Sequence, residues 1–359
     1  MDLFDLNETS PYSLKKEEKS IFLNKSLNVL FRHHYNNCEL FKKSMDSISY
    51  DYNKEYDYYE LPFLPVQLFK LYELKSIDDS KIVKTLTSSG TSGQTVSKIF
   101  LDKEASVIQI KTLSKIVTSF SGSKRLPMII IDSKSVLKDR KNYSARGAGI
   151  LGFSMFGTDH TYALDDEMNL NINDLKNFLD KHKGQKILMF GFTFIIYQHF
   201  YKELLKSNIT LDLSNATLIH GGGWKKMIDE SVSSSVFKNN LNQICSIKSV
   251  HDYYGMVEQT GTIYMECEKG YLHTSIFSDI IIRREQDFSV AEVGEPGIIQ
   301  VVSVLPKSYP GQSLLTEDEG VLLGEDDCKC GRMGKYFKIN GRLKDAEIRG
   351  CSDTYGKGN

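Results

Sequence analysis

Between Thr85 and Thr95 the chain places seven hydroxyl side chains and two glycines within eleven residues, Thr-Leu-Thr-Ser-Ser-Gly-Thr-Ser-Gly-Gln-Thr. Such a loop suits a polyphosphate, because glycine lets backbone N–H groups approach the oxygens and the hydroxyls donate to them. Ser88, Ser89, Gly90, Thr91, Ser92 and Gly93 are the candidate phosphate ligands. A Walker A loop needs Lys-Ser/Thr after its second glycine and a helix behind it. Here Gln94 follows Gly93 and a β-branched run comes next, so the loop is of another kind. Alone, it also describes the tip of a surface hairpin.

Three further stretches carry groups a nucleotide needs. In His251-Asp-Tyr-Tyr-Gly-Met-Val-Glu258 a glycine separates aromatic residues from a carboxylate that could hold Mg²⁺ against phosphates. Ile219-His-Gly-Gly-Gly223-Trp ends a β-branched run, and Gly221, Gly222 and Gly223 would let a flat ring lie against the backbone. Leu315-Thr-Glu-Asp318 supplies a carboxylate able to accept from two ribose hydroxyls. Taken alone, the stretch ending in Glu258 is also an ordinary strand-to-helix turn with a solvated glutamate.

The cysteines offer a second chemistry. Cys267, His273, Cys328 and Cys330 make a Cys₃His set, a common tetrahedral zinc complement, with spacing looser than paired Cys-x-x-Cys and with free buried thiols as the competing reading. Cys351, in Gly-Cys-Ser and eight residues from the end, could carry a thiol on a mobile tail, with Lys344 and Arg349 nearby to favour the thiolate. An inert surface cysteine is the plainer alternative.

The elements that must position these groups follow from periodicity. Residues 1–75 read as an N-terminal helical cap, with helical spacing over Ile21 to Phe41 and an extended LPFLPVQLFK. Lys81 to Ser88 and Thr95 to Leu101 are strands flanking the hydroxyl loop, with Asp102 as a helix N-cap. MIIID, a helix over Asn171 to His182, KILMFGF, a helix over Ile195 to Leu205, ATLIHGGG and a helix from Lys225 then alternate, which predicts a largely parallel sheet. After Ser246 short strands (IYMEC, DIIIRR, GIIQVVSV) predict a C-terminal sheet or partial barrel, so that residues 76–342 form the core and 343–359 a tail.

Composition excludes several classes. With 45 basic and 46 acidic residues mixed along the chain, neither nucleic acid nor an anionic membrane is favoured as a partner. The apolar run Ile187 to Tyr197 falls short of the roughly 20 residues that cross a bilayer. Six cysteines and a polar N-terminus without a secretory pattern predict a reducing, cytoplasmic setting.

The order of the signatures, hydroxyl loop, triple glycine, Tyr254-Gly255-x-x-Glu258, Thr-x-Asp318 and then Gly341-Arg342, resembles the adenylate-forming superfamily of acyl and aryl ligases. That resemblance implies an α/β fold: an ANL-like core of mixed and parallel sheets flanked by helices, with a small C-terminal β subdomain. It also implies ATP and Mg²⁺, with the hydroxyl loop on the phosphates, the glycines with Tyr254 and Gly255 beside adenine, Glu258 on Mg²⁺, Asp318 on ribose and Arg342 at the catalytic hinge. Only 17 residues follow Arg342, so the lid domain with its lysine is expected to be truncated, and Lys98, Lys225 and Lys226 are the substitute cations by proximity to motifs.

A narrower likeness, from about residue 60 to the end, rests on LPFLPVQLFK, SSGTSGQTVSK, HGGGWKK and GRLKDAEIRGCSDTY. These are similar to the LuxE family of acyl-protein synthetases, which is related to phenylacetate-CoA ligases. The likeness implies fatty-acid activation by ATP, acyl transfer to a C-terminal cysteine, here Cys351, and delivery to a reductase or acyl-carrier partner. Met189 to Tyr197 and Gly149 to Phe156, with glycines beside aromatics, are the expected acyl pocket. A phenylacetate-type CoA ligase in which Cys351 is incidental, and a non-catalytic nucleotide-binding subunit, are the alternatives.

Overall fold

Lys16–Asn37 forms the first helix, α1, burying Phe22, Leu23, Leu27, Leu30, Phe31 and His34 at the three-to-four spacing of one helical face. In this computed structural model, residues 9–88, 95–122, 124–138, 145–224 and 230–343 are described. The helical spacing read over Ile21 to Phe41 is two helices: Cys38, extended at φ −131° and ψ 104°, separates α1 from α2 (Glu39–Ser47). LPFLPVQLFK is extended only in part, through β1 (Leu64–Pro65). Three residues after Pro65, whose ring restricts its own residue and the one before it but not those that follow, α3 (Leu68–Leu71) begins. The strands β2 (Lys84–Thr87) and β3 (Lys98–Leu101) pair antiparallel on either side of the hydroxyl loop. Asp102 Oδ1 then accepts from Ala105 N at 2.8 Å and caps α4 (Lys103–Ser121), as the sequence predicts.

Contacts divide the chain into two compact units, residues 9–88, 95–119 and 255–343 in the first and residues 120–254 in the second. The second unit is built on β4 (Leu126–Ser133), α5 (Ala145–Ser154), β5 (Gly157–Leu164), α6 (Ile172–Lys181), β6 (Ile187–Phe192), α7 (Thr193–Ile195), α8 (Lys202–Lys206), β7 (Ala216–Gly221), α9 (Ser234–Cys245) and β8 (Ser249–Tyr254). Its strands run parallel in the order β5-β4-β6-β7-β8. Met128 to Ile131 and Ile187 to Phe190 are buried continuous apolar runs, the pattern of a parallel strand covered on both faces. Between α7 and α8 the helix widens to a π-turn over Ile196–Tyr201, so the expected helix is present but irregular. The helix expected from Lys225 is α9, which starts at Ser234 with Ser233 Oγ accepting from Val236 N; residues 225–229 lie outside the described residues.

The chain returns to the first unit with β9 (Tyr264–Glu266), β10 (Leu272–His273), β11 (Ser278–Arg283), β12 (Pro296–Ser303), β13 (Ser313–Glu325) and β14 (Lys335–Arg342). These form an antiparallel sheet in the order β11-β12-β13-β14-β10-β9, with β1 alongside β13 in parallel. A buried ionic centre fastens α1 to it. Asp279, inaccessible on β11, takes Lys335 Nζ at 2.9 Å, Lys19 Nζ at 3.4 Å and the Tyr58 hydroxyl at 2.8 Å. Burial raises the Asp279 carboxyl, but Lys19 and Lys335 overcome it and hold the group at about 2. Among the described residues, no helix is long and apolar enough to cross a membrane.

Candidate functional site

Within the first unit, Ser88 sits at the neck of the hydroxyl loop, where Ser88 N donates to Ser97 O at 3.0 Å and Ser97 N to Ser88 Oγ at 2.9 Å. Ser89, Gly90, Thr91, Ser92 and Gly93 lie outside the described residues, as do Lys225, Lys226, Lys344, Arg349 and Cys351. Gly255 leads into the single 3₁₀ turn Val257–Gln259, which carries Glu258, a carboxylate only 6% exposed. Gln259 holds that turn by donating to Val301 O at 3.1 Å and Gly311 O at 2.9 Å. Gly311 is obligatory there, since a Cβ would stand 2.6 Å from Glu258 O. Burial, with the Glu258 charge beside it, raises the Tyr309 phenol above its ordinary range and keeps it neutral.

Asp318 and Arg342 face each other across β13 and β14, with Arg342 Nε 3.4 Å from Asp318 Oδ1 and Nη2 4.0 Å from Glu317 Oε2. Asp318 N donates to Thr316 Oγ1 at 3.1 Å, while that hydroxyl donates to Ile299 O at 2.7 Å, so the Thr-x-Asp pattern orders its own backbone. The proposed ribose carboxylate and the hinge arginine are thus one ion pair, which the sequence reading did not foresee. Lys98, the one described member of the substitute-cation group, is occupied by Glu73 at 3.1 Å.

In the second unit, two of the three glycines at the end of β7 are packed against rings of the chain itself. A Cβ on Gly221 would stand 2.7 Å from Tyr253 Cε1, and one on Gly222, at φ +86°, 2.9 Å from Phe192 Cδ1. A Cβ on Gly223 would meet nothing within 4 Å, and Tyr254 closes β8 half-buried. The two segments expected to line an acyl pocket also meet: a Cβ on Gly149 would stand 3.0 Å from Phe192 Cζ, and Phe153 stacks on Phe190 at 4.1 Å. Gly149 lies in α5, which comes after β4 along the chain.

Two polar pairs at these strand ends escaped the sequence reading. Asp132, inaccessible near the end of β4, takes Arg146 Nη2 of α5 at 2.8 Å, and burial raises its carboxyl against the pull of that guanidinium. A charge closing the run MIII was the available signal. His220 Nδ1 meets Thr193 Oγ1 at 2.9 Å, and the same hydroxyl donates to Gly221 O at 3.1 Å, which makes Nδ1 the protonated nitrogen. Burial lowers His220 to about 3, so the ring is neutral. A cavity of about 360 Å³ lined by His182, Lys183, Asp212 and Asn215 opens at the opposite ends of β6 and β7, away from all of these groups.

Cys267, His273, Cys328 and Cys330 come together in the first unit, their ligand atoms all within 4.8 Å of one another. Cys267 and Cys328 Sγ are 4.0 Å apart, and Cys330 Sγ is 3.4 Å from His273 Nε2.

Comparison with known proteins places this geometry. The family model described as acyl-protein synthetase, LuxE, matches residues 2–357. The long-chain-fatty-acid–luciferin-component ligase of Vibrio harveyi is 22% identical over 361 residues, covering 98% of this chain and 91% of that protein. Among solved structures, 2-hydroxyisobutyryl-CoA ligase in the postadenylation state with 2-HIB-AMP matches with a TM-score of 0.69 at 12% identity, over 94% of this chain and 70% of that one. Its open conformation with 2-HIB-AMP and CoA gives the same TM-score over 94% and 77%. The fold is that of the adenylate-forming ligases, α/β with mixed parallel and antiparallel sheets, as the motif order predicts.

Proposed function

Because this chain belongs to the LuxE family of acyl-protein synthetases, we propose that it activates a fatty acid with ATP and transfers the acyl group to its own Cys351. A carboxylate oxygen attacks the α-phosphorus of ATP, the bond to pyrophosphate breaks, and a mixed anhydride with AMP results. The Cys351 thiol gives up its proton to solvent, and the thiolate attacks the acyl carbonyl, the C–S bond forming as the C–O bond to AMP breaks and AMP leaves.

The residues take the following roles in this reading. Ser88 to Gly93 cradle the phosphates, and Gly221, Gly222, Gly223, Tyr254 and Gly255 flank adenine. Asp318 accepts from the ribose hydroxyls, with Arg342 holding that carboxylate. Glu258 would hold Mg²⁺, whose charge would offset that of the phosphate oxygens. Support comes above all from the family match, which runs through the hydroxyl loop and past Cys351. The thioester then serves a reductase-like or acyl-carrier partner.

The test is incubation with ATP, Mg²⁺ and labelled fatty acids, followed by denaturation and hydroxylamine. Label that hydroxylamine releases, and that Cys351→Ala lacks, is the expected result. Pyrophosphate release with no protein-bound label, and acyl-CoA formation by Cys351→Ala, would instead identify a CoA ligase. ATP binding without acid-dependent pyrophosphate release would identify a non-catalytic subunit.

A further inference from the structure

We infer that Cys267, His273, Cys328 and Cys330 form a structural zinc site that locks the segment before α1 onto the ends of two β-hairpins. Tetrahedral zinc with sulfur at about 2.3 Å and nitrogen at about 2.0 Å sets S–S edges of about 3.8 Å and S–N edges of about 3.5 Å. The observed 4.0 Å and 3.4 Å match those edges. A disulfide between Cys267 and Cys328 would use two sulfurs and leave the convergence of Cys330 and His273 without a purpose.

The backbone around the sulfurs is built for thiolates. Cys267-Glu-Lys-Gly270 and Cys328-Lys-Cys330-Gly331 are two turns of like construction, closed by Gly270 N to Cys267 O and Gly331 N to Cys328 O, each 2.9 Å. Both glycines are left-handed, at φ +80° and +83°. Lys269 N points at Cys267 Sγ from 3.4 Å and Arg332 N at Cys330 Sγ from 3.5 Å, donors that favour a negative sulfur. His273 is fully buried, and its Nδ1 has no partner among the described residues. Its polar atoms therefore find nothing to secure the ring except the sulfur faced by Nε2. Tyr336 stacks on the imidazole at 5.7 Å and Tyr12 packs edge-on at 6.3 Å.

The consequence lies in what the turns touch. Cys267 and His273 bound the β9–β10 hairpin, and Cys328 and Cys330 lie in the loop between β13 and β14. Against them runs the N-terminal segment: Ile276 N donates to Pro11 O at 2.8 Å, Met333 N to Tyr12 O at 3.0 Å, and Lys16 N to Asp326 Oδ2 at 2.8 Å. Binding the ion expels three thiol protons to solvent and fixes both loops, so the free energy of coordination becomes that of seating residues 10–16.

Full-length protein prepared with zinc should contain one equivalent by elemental analysis, and its cobalt derivative should show the charge-transfer and tetrahedral ligand-field bands of a thiolate site. Cys267→Ser should retain less than about a tenth of the metal. Cys245→Ser, altering a buried thiol of α9 outside the cluster, should retain all of it. Should Cys267→Ser fail to fold, titration of wild-type protein with a mercurial decides the matter, zinc release being complete after the three cluster thiols react. Chelation should raise amide exchange in residues 10–16 by about tenfold or more. Protein with trace metal and titratable free thiols, or with a 267–328 disulfide by mass, overturns the inference. So does a metal whose loss leaves exchange at residues 10–16 unchanged. None of these outcomes bears on the ligase reading.

Discussion

Glu258 and Asp318 are both carboxylates of the first unit, but their surroundings differ, as do the roles proposed for them. Glu258 is buried on a turn pinned through Gln259. Asp318 is half-buried and leans on Arg342. Glu258→Gln keeps the shape and removes the charge, so kcat for pyrophosphate release should fall by about 100-fold or more with the melting temperature little changed. Asp318→Ala should act chiefly on nucleotide binding, raising KM for ATP by about 10- to 100-fold, the worth of hydrogen bonds to a charged group. Equal kcat losses with unchanged KM in both variants would refute that division. Thr-x-Asp and Tyr-Gly-x-x-Glu were legible because they are local patterns. The Asp318–Arg342 pair was not, because β13 and β14 pair with two register shifts that residue spacing does not encode.

At the scale of elements, β4, β6, β7, β9, β11 and β12 were readable from their apolar runs, whereas the more polar β5, β8 and β14 and the helix α5 were not. ARGAGILGFS holds three glycines, each costing about 1 kcal/mol in a helix relative to alanine, and so reads as loop. Its packing explains the helix: Gly149 makes room for Phe192, and Gly222 at the end of β7 takes the same ring from another element. A ring seated on two glycines, among Phe153, Phe190 and Tyr253, fits the floor of the proposed acyl pocket. Phe192→Leu should cost only about 1 kcal/mol of stability while shifting the preferred acid toward longer or bulkier chains. The readout is the rank order of pyrophosphate release across a series of fatty acids. An unchanged order would place the acid elsewhere.

At the scale of the whole molecule, buried neutral histidines, His34 in the first unit and His220 in the second among them, contribute to the acid limb of stability. His34 Nε2 donates to Pro306 O at 2.9 Å and its Nδ1 accepts from Ser76 Oγ at 2.7 Å. Burial, with His33 adding to it, lowers the group to about 3. His220 is held equally low by burial, helped by Lys238 and His251, with Asp252 Oδ1 3.7 Å from its Nδ1. Between the ordinary histidine value of about 6.5 and the folded value, the unfolded chain binds a proton that the folded chain refuses. Stability should therefore be level above about pH 6.5 and fall below it, by up to about 1.4 kcal/mol per pH unit for each histidine. Urea midpoints between pH 5 and 7, above most carboxylate titration, isolate the effect. Trp224, the single tryptophan, packs on Tyr197 and Phe237 in the second unit, so its fluorescence follows His220, while the buried ionic centre and the Cys₃His cluster belong to the first. His220→Asn should flatten the pH slope seen by Trp224, and His34→Gln should leave that slope in place. If His220→Asn instead keeps the full slope, the proton is taken up elsewhere and the neutral His220–Thr193 pair is not what acid disrupts.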